Sequence, residues 1–524
     1  MISELITLPD GSLCREELFS LRYDRPLLED KKSKLNSALG HTLSDYRTPT
    51  EKDRDRLIYS AHLQRLSGVT QVVTPPHDGN ALHSRFVHSM KVATLARDIA
   101  SNFVRQAQDC EKTATLIASL GGLDIAACEA AGLAHDLGHP PFGHISEHII
   151  DDWLRDSSSG SPRCPNGFEG NAQSFRTVAR LDRLKPERKS VRGMELTAVT
   201  LAGILKYPWL RQFGNRKFES KFGAIHTEYG QFLQSREWFE RDSGTRIRNR
   251  KYTQSLEAGI MDIADDITYA LHDLQDFIIA QVIRIPAVTR DMKYARAALK
   301  RGGEGTEERE EEKYYPSGVK TFIDQQHRLA TYYPNYFDPK LYRAALKWAQ
   351  GKLEGLGSDT DGENSLEHTA HLKSQISSVI DDLVRSITIE PEPKWKYGPY
   401  VYMDTTAWHR VQVLKEVTKS YVIETPLIGM HQAAQSVTMF ELLNKLEQWL
   451  ARSGTRNHLP VRFRSYIDLS QQIDMEVSNL GMQRNFEDDP IKRAIADYCC
   501  SLTDLEAYRL SRFLQGHEIP RVIL

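Results

Sequence analysis

The stretch "LAHDLGHPPFGHISEHII" (133–150) holds His135, His139, His144 and His148 together with Asp136 and Glu147. A run this apolar is expected to build core, so the titratable groups gathered in it point to chemistry. Adjacent His135 and Asp136 can both reach one ion, the first through a ring nitrogen and the second through a carboxylate oxygen. A divalent ion needs more than two protein ligands. His88 is a third candidate, because it shares a helical face with Val92, Leu95 and Ile99, which lie four, seven and eleven residues on. A histidine on such a stripe is more often a hydrogen-bonded core residue, so His88 carries weight only in combination. A fourth ligand is available in "MDIADDITYALHD" (261–273), where Asp265, Tyr269 and Asp273 are four apart along one helix face. Acids inside so apolar a helix are costly to bury unless paired or metal-bound. Spacing alone does not choose between Asp262, Asp265 and Asp266. Mixed imidazole and carboxylate ligation suits manganese, iron, cobalt, nickel or zinc better than calcium. The bland alternative is two or three structural histidines beside a helix end. It accounts for fewer of these residues at once.

His139, His144 and Glu147 follow the candidate ligands by a few residues and should line the same cavity. His144 and Glu147 are three apart and share a face. A His–Glu pair is a general-acid device, since the carboxylate orients the ring and raises its pKa. His148 falls elsewhere on that turn and reads as structural.

Helices must position these groups. "SRFVHSMKVATLARDIASNFVRQA" (84–107) has a stripe of Val92, Leu95, Ile99 and Phe103, and "SLEAGIMDIADDITYALHDLQDFIIAQVI" (255–283) reads as a second long helix. "AACEAAGLAHDLGH" (126–139) is helical up to Gly138 before Pro140 and Pro141 break it, which puts His135 and Asp136 at a helix C-terminal end; a new turn starts near Gly143. Two more helical patterns lie near the C-terminus, and strand-like runs are short, as at 70–75 and 400–404. The expected fold is mainly α. Loops are expected at 156–167, at the charge run 300–313 and at 354–365. The basic stretch with Arg246, Arg248, Arg250 and Lys251 reads first as an exposed loop and second as a phosphate-contact patch.

The 524 residues allow one large core or two to three domains. Net charge is −2, so no global basic field draws nucleic acid. No run approaches a membrane span, and "MISELITLPDG" lacks the apolar region of a signal peptide. Six cysteines without CxxC spacing, two of them the adjacent Cys499 and Cys500, fit a reducing cytoplasm.

The pattern "H…HD…D" resembles the HD-domain metal phosphohydrolases, and "HDLGHPPFGHISE" is similar to their dNTP triphosphohydrolase branch, above all to bacterial dGTP triphosphohydrolases. The likeness extends in order through blocks at 47–75, "HSRFVHS" (83–89), "GFEGNAQSFR" (167–176), "LTAVTLAGILKYPW" (196–209), 261–276 and "DYCCSLTD" (497–504). An HD pair alone is weak, but this ordered set is specific.

The resemblance implies a mainly α HD-domain helical metal phosphohydrolase fold with an additional helical C-terminal region. It implies a segment 1–60, an HD-type catalytic core 61–280 and a region 281–524 that completes the pocket and assembly contacts. One divalent metal, Mn2+ or Mg2+ ahead of Co, Fe or Ni, is then held by His88, His135, Asp136 and Asp265, which resolves the choice among the three acids. His139 and His144 would contact the triphosphate, with Glu147 supporting His144. Arg85 and Lys206 match phosphate-binding positions. Gln71 and Asp273 match residues near the sugar 3′-hydroxyl, and Tyr269 matches the ring under the sugar. Asn171 and Glu169 fall in a motif near the active site. Val69 departs from the pattern, where a lysine is expected.

The implied activity is metal-dependent hydrolysis of dGTP, or of other dNTPs, to deoxynucleoside and inorganic triphosphate. Water attacks the α-phosphorus, and His144 as imidazolium protonates the departing 5′-oxygen. The rivals are an HD hydrolase acting on another nucleotide and a non-catalytic nucleotide- or nucleic-acid-binding regulator. The resemblance also implies a homo-oligomer, a hexameric ring, with nucleotides or single-stranded DNA as effectors and no membrane partner.

Overall fold

The computed structural model describes residues 5–25, 47–71, 84–156, 164–184, 191–242, 245–246, 250–301, 315–356, 366–395, 397–452, 456–479 and 488–517. Of the loops expected at 156–167, 300–313 and 354–365, residues 157–163, 302–313 and 357–365 lie outside them, as do residues 72–75 of the strand-like run and Arg248. Residues 300–301 and 354–356 are instead the ends of the helices Ile285–Arg301 and Pro339–Leu356, which run past the predicted boundaries.

Helices dominate, as the periodicities predict, and the chain has the mainly α HD fold. The His88 helix, Arg85–Asp109, buries Val92, Ala96, Ile99 and Phe103 along one face, with Leu95 only partly covered. The HD helix, Ile125–Ala134, starts where the Asp124 carboxylate accepts the Ala127 N–H at 2.7 Å. It is buried nearly all round, which suits its alanines. Gly132 lets it touch the His88 helix: a Cβ there would stand 2.5 Å from Ala93 Cα. Small residues at this crossing bring the rings of His88 and His135 to 5.5 Å between centroids.

The Asp265 helix, Leu256–Thr268, is capped by Ser255, and it does not run on as a plain α-helix. Tyr269–Asp273 form a π-turn before the helix resumes at Leu274–Ile279. Such wide turns recur at functional sites, and this one carries two of the predicted site residues.

The His144 helix, His144–Arg155, begins after Gly143 at φ 64°. Its apolar face, Ile150, Trp153 and Leu154, packs into a C-terminal core with Leu442, Leu443 and Leu446 of Pro426–Ala451, Phe463 and Ile467 of Val461–Asn479, and Ile495 of Pro490–Cys499. The His88 and Asp265 helices belong instead to the main core, which reaches from Leu8 to Val422.

Strands are few. Leu5–Thr7 and Leu13–Arg15 pair antiparallel around Asp10–Gly11, and Leu13–Arg15 also pairs with Gly122–Leu123. The strand-like run at 400–404 is realised as Val401–Met403, paired with Ile387–Ile389. Of the 70–75 run, the described Thr70 forms an isolated bridge to Ser84. Among the described residues no helix is long and apolar enough to cross a membrane.

Candidate active site

His135 is the C-cap of the HD helix, as the double proline downstream predicts. Its Nδ1–H donates to Gly132 O at 2.7 Å, so Nε2 carries the lone pair. Burial holds the ring neutral by pushing its pKa down, against the pull of Asp136 and Asp265. Nε2 is buried with no hydrogen-bond partner. It stands 3.5 Å from Asp136 Oδ1 and 3.8 Å from Asp265 Oδ1.

His88 completes the group. Its Nε2 is 3.0 Å from Asp265 Oδ1, and its Nδ1 faces Asp273 at 3.7 Å. Burial opposes protonation of this ring, but the two carboxylates outweigh it and push the pKa up to about 10. Ligand atoms of His88, His135 and Asp265 all lie within 4.8 Å of one another. An orphaned imidazole lone pair beside a carboxylate and a second imidazole is a donor set that fits a divalent cation. Asp136 adjoins the trio but is turned toward other cations: Arg85 Nη1 bonds its Oδ2 at 2.8 Å, and His139 Nε2 reaches its Oδ1 at 2.9 Å. Burial opposes its charge, yet His135, Arg85 and His139 together hold it well below the usual carboxylate range.

From Asp136 a polar chain runs outward. His139 donates from Nε2 to Asp136 and from Nδ1 to Glu147 Oε1, and His144 Nδ1 donates to the same oxygen at 3.0 Å. With both nitrogens on carboxylates, the His139 pKa is raised despite burial and nearby Arg85. Glu147 is buried, and the two rings overcome the cost of desolvation to keep it ionised. His144, by contrast, has 68% of its side chain exposed. His148 is exposed and, with Glu147, Asp151, Arg155, Glu169 and Lys221, lines an outer cavity of about 310 Å3 that adjoins the site.

The phosphate candidates are at hand. Arg85 lies under Gly143 as well as beside Asp136, since a Cβ on Gly143 would be 2.9 Å from Arg85 Nη2. Lys206 Nζ is 2.8 Å from both Asp262 Oδ1 and Asp265 Oδ2, which hold it charged against burial. Glu169 and Asn171 are adjacent as the motif implies. Glu169 caps Gly170–Arg176 and bonds Asn171 N at 2.6 Å and Nδ2 at 3.0 Å. Gly170 presses on the site, for a Cβ there would meet the His139 ring at 2.9 Å and Glu147 Oε1 at 3.0 Å.

The sugar candidates surround the π-turn and the entry to the His88 helix. Asp273 is fully buried, and neither carboxylate oxygen has a hydrogen-bond partner. Gln71 Oε1 is likewise buried without one. Tyr269 is half-buried, with Lys415 Nζ 5.8 Å from its ring centroid. Val69, where a lysine is expected, is buried in the core beside Leu66 and contributes no polar group.

Sequence reasoning missed two cations. Lys221 bonds Glu169 Oε1 at 2.9 Å, and Lys415, from the C-terminal half, bonds Asp266 Oδ1 at 2.7 Å. Neither sits in a local pattern that marks it; each is delivered by tertiary folding. One reading of the basic stretch needs correction. Arg250 is not on an exposed loop: it is buried, donating to Phe239 O at 3.3 Å and Ser119 O at 2.6 Å, so it is spent on backbone carbonyls and faces no phosphate. Lys251 is exposed, and Arg246 lies in a short strand.

Comparison with known proteins identifies the family. The HD domain family matches residues 85–270, which span every ligand candidate. A deoxyguanosinetriphosphate triphosphohydrolase-like protein of Corynebacterium efficiens is 34% identical over 489 residues, covering 92% of this chain and 94% of its own. Proteins of the same description from Corynebacterium glutamicum strain ATCC 13032 (31% identity, 91% and 93% covered) and Shewanella sediminis (26% identity, 94% and 96% covered) align as fully. At that identity and coverage, the chain belongs to the deoxyguanosinetriphosphate triphosphohydrolase-like family of HD-domain phosphohydrolases.

Proposed function

We propose that the protein hydrolyses deoxynucleoside triphosphates, dGTP first, to deoxynucleoside and inorganic triphosphate, with a divalent ion. The observation that supports this reading is the adjacency of a trio able to hold an ion, His88, His135 and Asp265, to a hydrogen-bonded chain, Asp136–His139–Glu147–His144. Asp136 joins the trio as fourth ligand. An ion held there would supply positive charge to a phosphate oxygen and acidify a water.

The chain's own residues do the rest. His144 is exposed enough to meet substrate and is oriented by a buried carboxylate, which suits a general acid for the 5′-oxygen. His139 keeps Glu147 ionised and presents positive charge to the triphosphate. Arg85 and Lys206 neutralise further phosphate charge. The open acceptors of Asp273 and Gln71 are matched by a donor such as the sugar 3′-hydroxyl. Tyr269 packs beneath the sugar. The names of the relatives support dGTP as substrate. Mn2+ or Mg2+ is the proposed ion, and a ring-shaped homo-oligomer with nucleotide or single-stranded DNA effectors is the proposed assembly.

One assay tests the reading. Purified protein with Mn2+ is given each of the four dNTPs and GTP, and the released phosphates are separated. Inorganic triphosphate is the expected product. Pyrophosphate or monophosphate would indicate a different phosphohydrolase, and no release at all would indicate a regulator.

A further inference from the structure

The block "DYCCSLTD" has no part in the chemistry above, yet its last residue reaches both ends of the site. Asp504 opens the helix Asp504–Leu514 but does not cap it; Thr503 does, in a capping box with Glu506. The buried Asp504 carboxylate is used elsewhere. Its Oδ1 accepts the Phe142 N–H at 2.9 Å, and its Oδ2 accepts the Thr70 N–H at 3.0 Å and the Thr70 hydroxyl at 2.6 Å. Phe142 stands two residues before His144, and Thr70 directly before Gln71.

Three features show that these bonds hold the loop in a fixed conformation. Phe142 is at φ 65°, a left-handed conformation that a non-glycine residue keeps only when its surroundings impose it. The same loop is gripped from behind by Arg65, which is buried and donates to Leu137 O at 3.1 Å, His139 O at 2.7 Å and Leu502 O at 2.9 Å. Thr503 also presses on the turn before Thr70, since a Cβ on Gly68 would fall 2.7 Å from Thr503 Cγ2.

General anchoring of the C-terminal helices does not require Asp504. Asp497 already supplies it, bonding Arg176 Nε at 3.0 Å, Arg176 Nη2 at 2.8 Å and Gln173 Nε2 at 2.8 Å. We infer that Asp504 is a positioning residue, which fixes the proton-donating His144 relative to the sugar-facing Gln71 by holding Phe142 and Thr70 at once, with Arg65 as its buttress. This rests on the reading of His144 as general acid.

The test compares two substrates in full-length, Mn2+-loaded protein. dGTP needs a proton on its leaving oxygen; bis(p-nitrophenyl) phosphate has a leaving group acidic enough to depart without one. Asp504→Asn is expected to lower kcat on dGTP by about 10- to 100-fold, the scale of a small misplacement. Its rate on the diester should stay within about twofold of the parent, with bound metal unchanged. Thr70→Val, which removes only the hydroxyl arm, should show a smaller loss of the same selectivity. If the diester is not turned over, the pH profile of kcat on dGTP decides: Asp504→Asn should flatten the alkaline limb as His144→Ala does. Equal losses on both substrates, or an unflattened profile, would overturn the proposal and leave Asp504 a structural residue. Should Asp504→Asn fail to fold, Thr70→Val is judged by the same ratio. His144→Ala separates the two failures. If it turns over dGTP normally, the general-acid reading falls; if it loses dGTP selectively and the Asp504 and Thr70 variants do not, only the positioning role falls.

Discussion

His144 Nδ1 lies 3.0 Å from Glu147 Oε1, an exposed imidazole pinned by a buried carboxylate. The same oxygen also receives His139, so one acid orients two rings. His144→Ala should lose roughly 10²–10⁴ in kcat while keeping its metal. Glu147→Gln should fall too, and because it disturbs both rings its loss should not add to that of His144→Ala in the double variant. Additive losses in that cycle would separate the two residues.

Metal binding has its own signature. His135→Ala or Asp265→Ala should abolish both bound Mn2+ and turnover, read by metal analysis of the purified variants. Chelation of the parent should do the same, reversibly. A variant that kept stoichiometric metal would remove its residue from the ligand set.

The proposed sugar pocket at Tyr269 and Asp273 predicts selectivity. dGTP should exceed GTP in kcat/KM by at least about 10²-fold, since a 2′-hydroxyl against an aromatic ring finds no partner. Tyr269→Ala should narrow the gap. Asp273→Asn should weaken dGTP and barely touch the 2′,3′-dideoxy analogue. Equal efficiencies for GTP and dGTP in the parent would overturn this pocket.

Acid should destabilise the fold through His272. Burial, then Lys91 and His88, push its pKa down to about 4 from an ordinary 6.5. The ring is neutral when folded, and the unfolded chain takes up a proton first as pH falls. Its contribution is therefore intact above pH 6.5 and lost progressively between 6.5 and about 4. Melting temperatures of the parent should drop across that window more steeply than those of His272→Gln. Parallel curves would exclude His272 as the source.

Arg250→Ala should cost about 1–3 kcal/mol of stability, the scale of buried groups left unpaired. DNA affinity should not change with it. A stable variant with weakened DNA binding would return Arg250 to the surface reading.

The helices that carry the site were legible because their apolar stripes and breakers are local signals. Pro140 and Pro141 announced the end of the HD helix, and the spacing from His88 to Val92 and Ile99 announced its partner. The π-turn at Tyr269–Asp273 was not legible, since the residues there are ordinary helix formers and only packing widens the turn. The N-terminal hairpin was missed although Asp10–Gly11 is a turn dipeptide, because its strands are only three residues long. Spacing left Asp262, Asp265 and Asp266 equivalent, and tertiary contacts distinguish them: Asp265 meets both histidines, Asp262 meets Lys206, and Asp266 meets Lys415. Lys221, Lys415 and the inward turn of Arg250 arise from long-range folding, which no window of sequence contains.

The His144 helix rests on the C-terminal core, whereas His88 and Asp265 rest on the main one. On the proposed reading, loss of activity and loss of metal should therefore be separable events. Loosening the C-terminal core alone should displace His144 and leave His88, His135 and Asp265 in place, so a heat-inactivated sample is expected to keep its metal, and metal content would then be no gauge of how much working enzyme it holds.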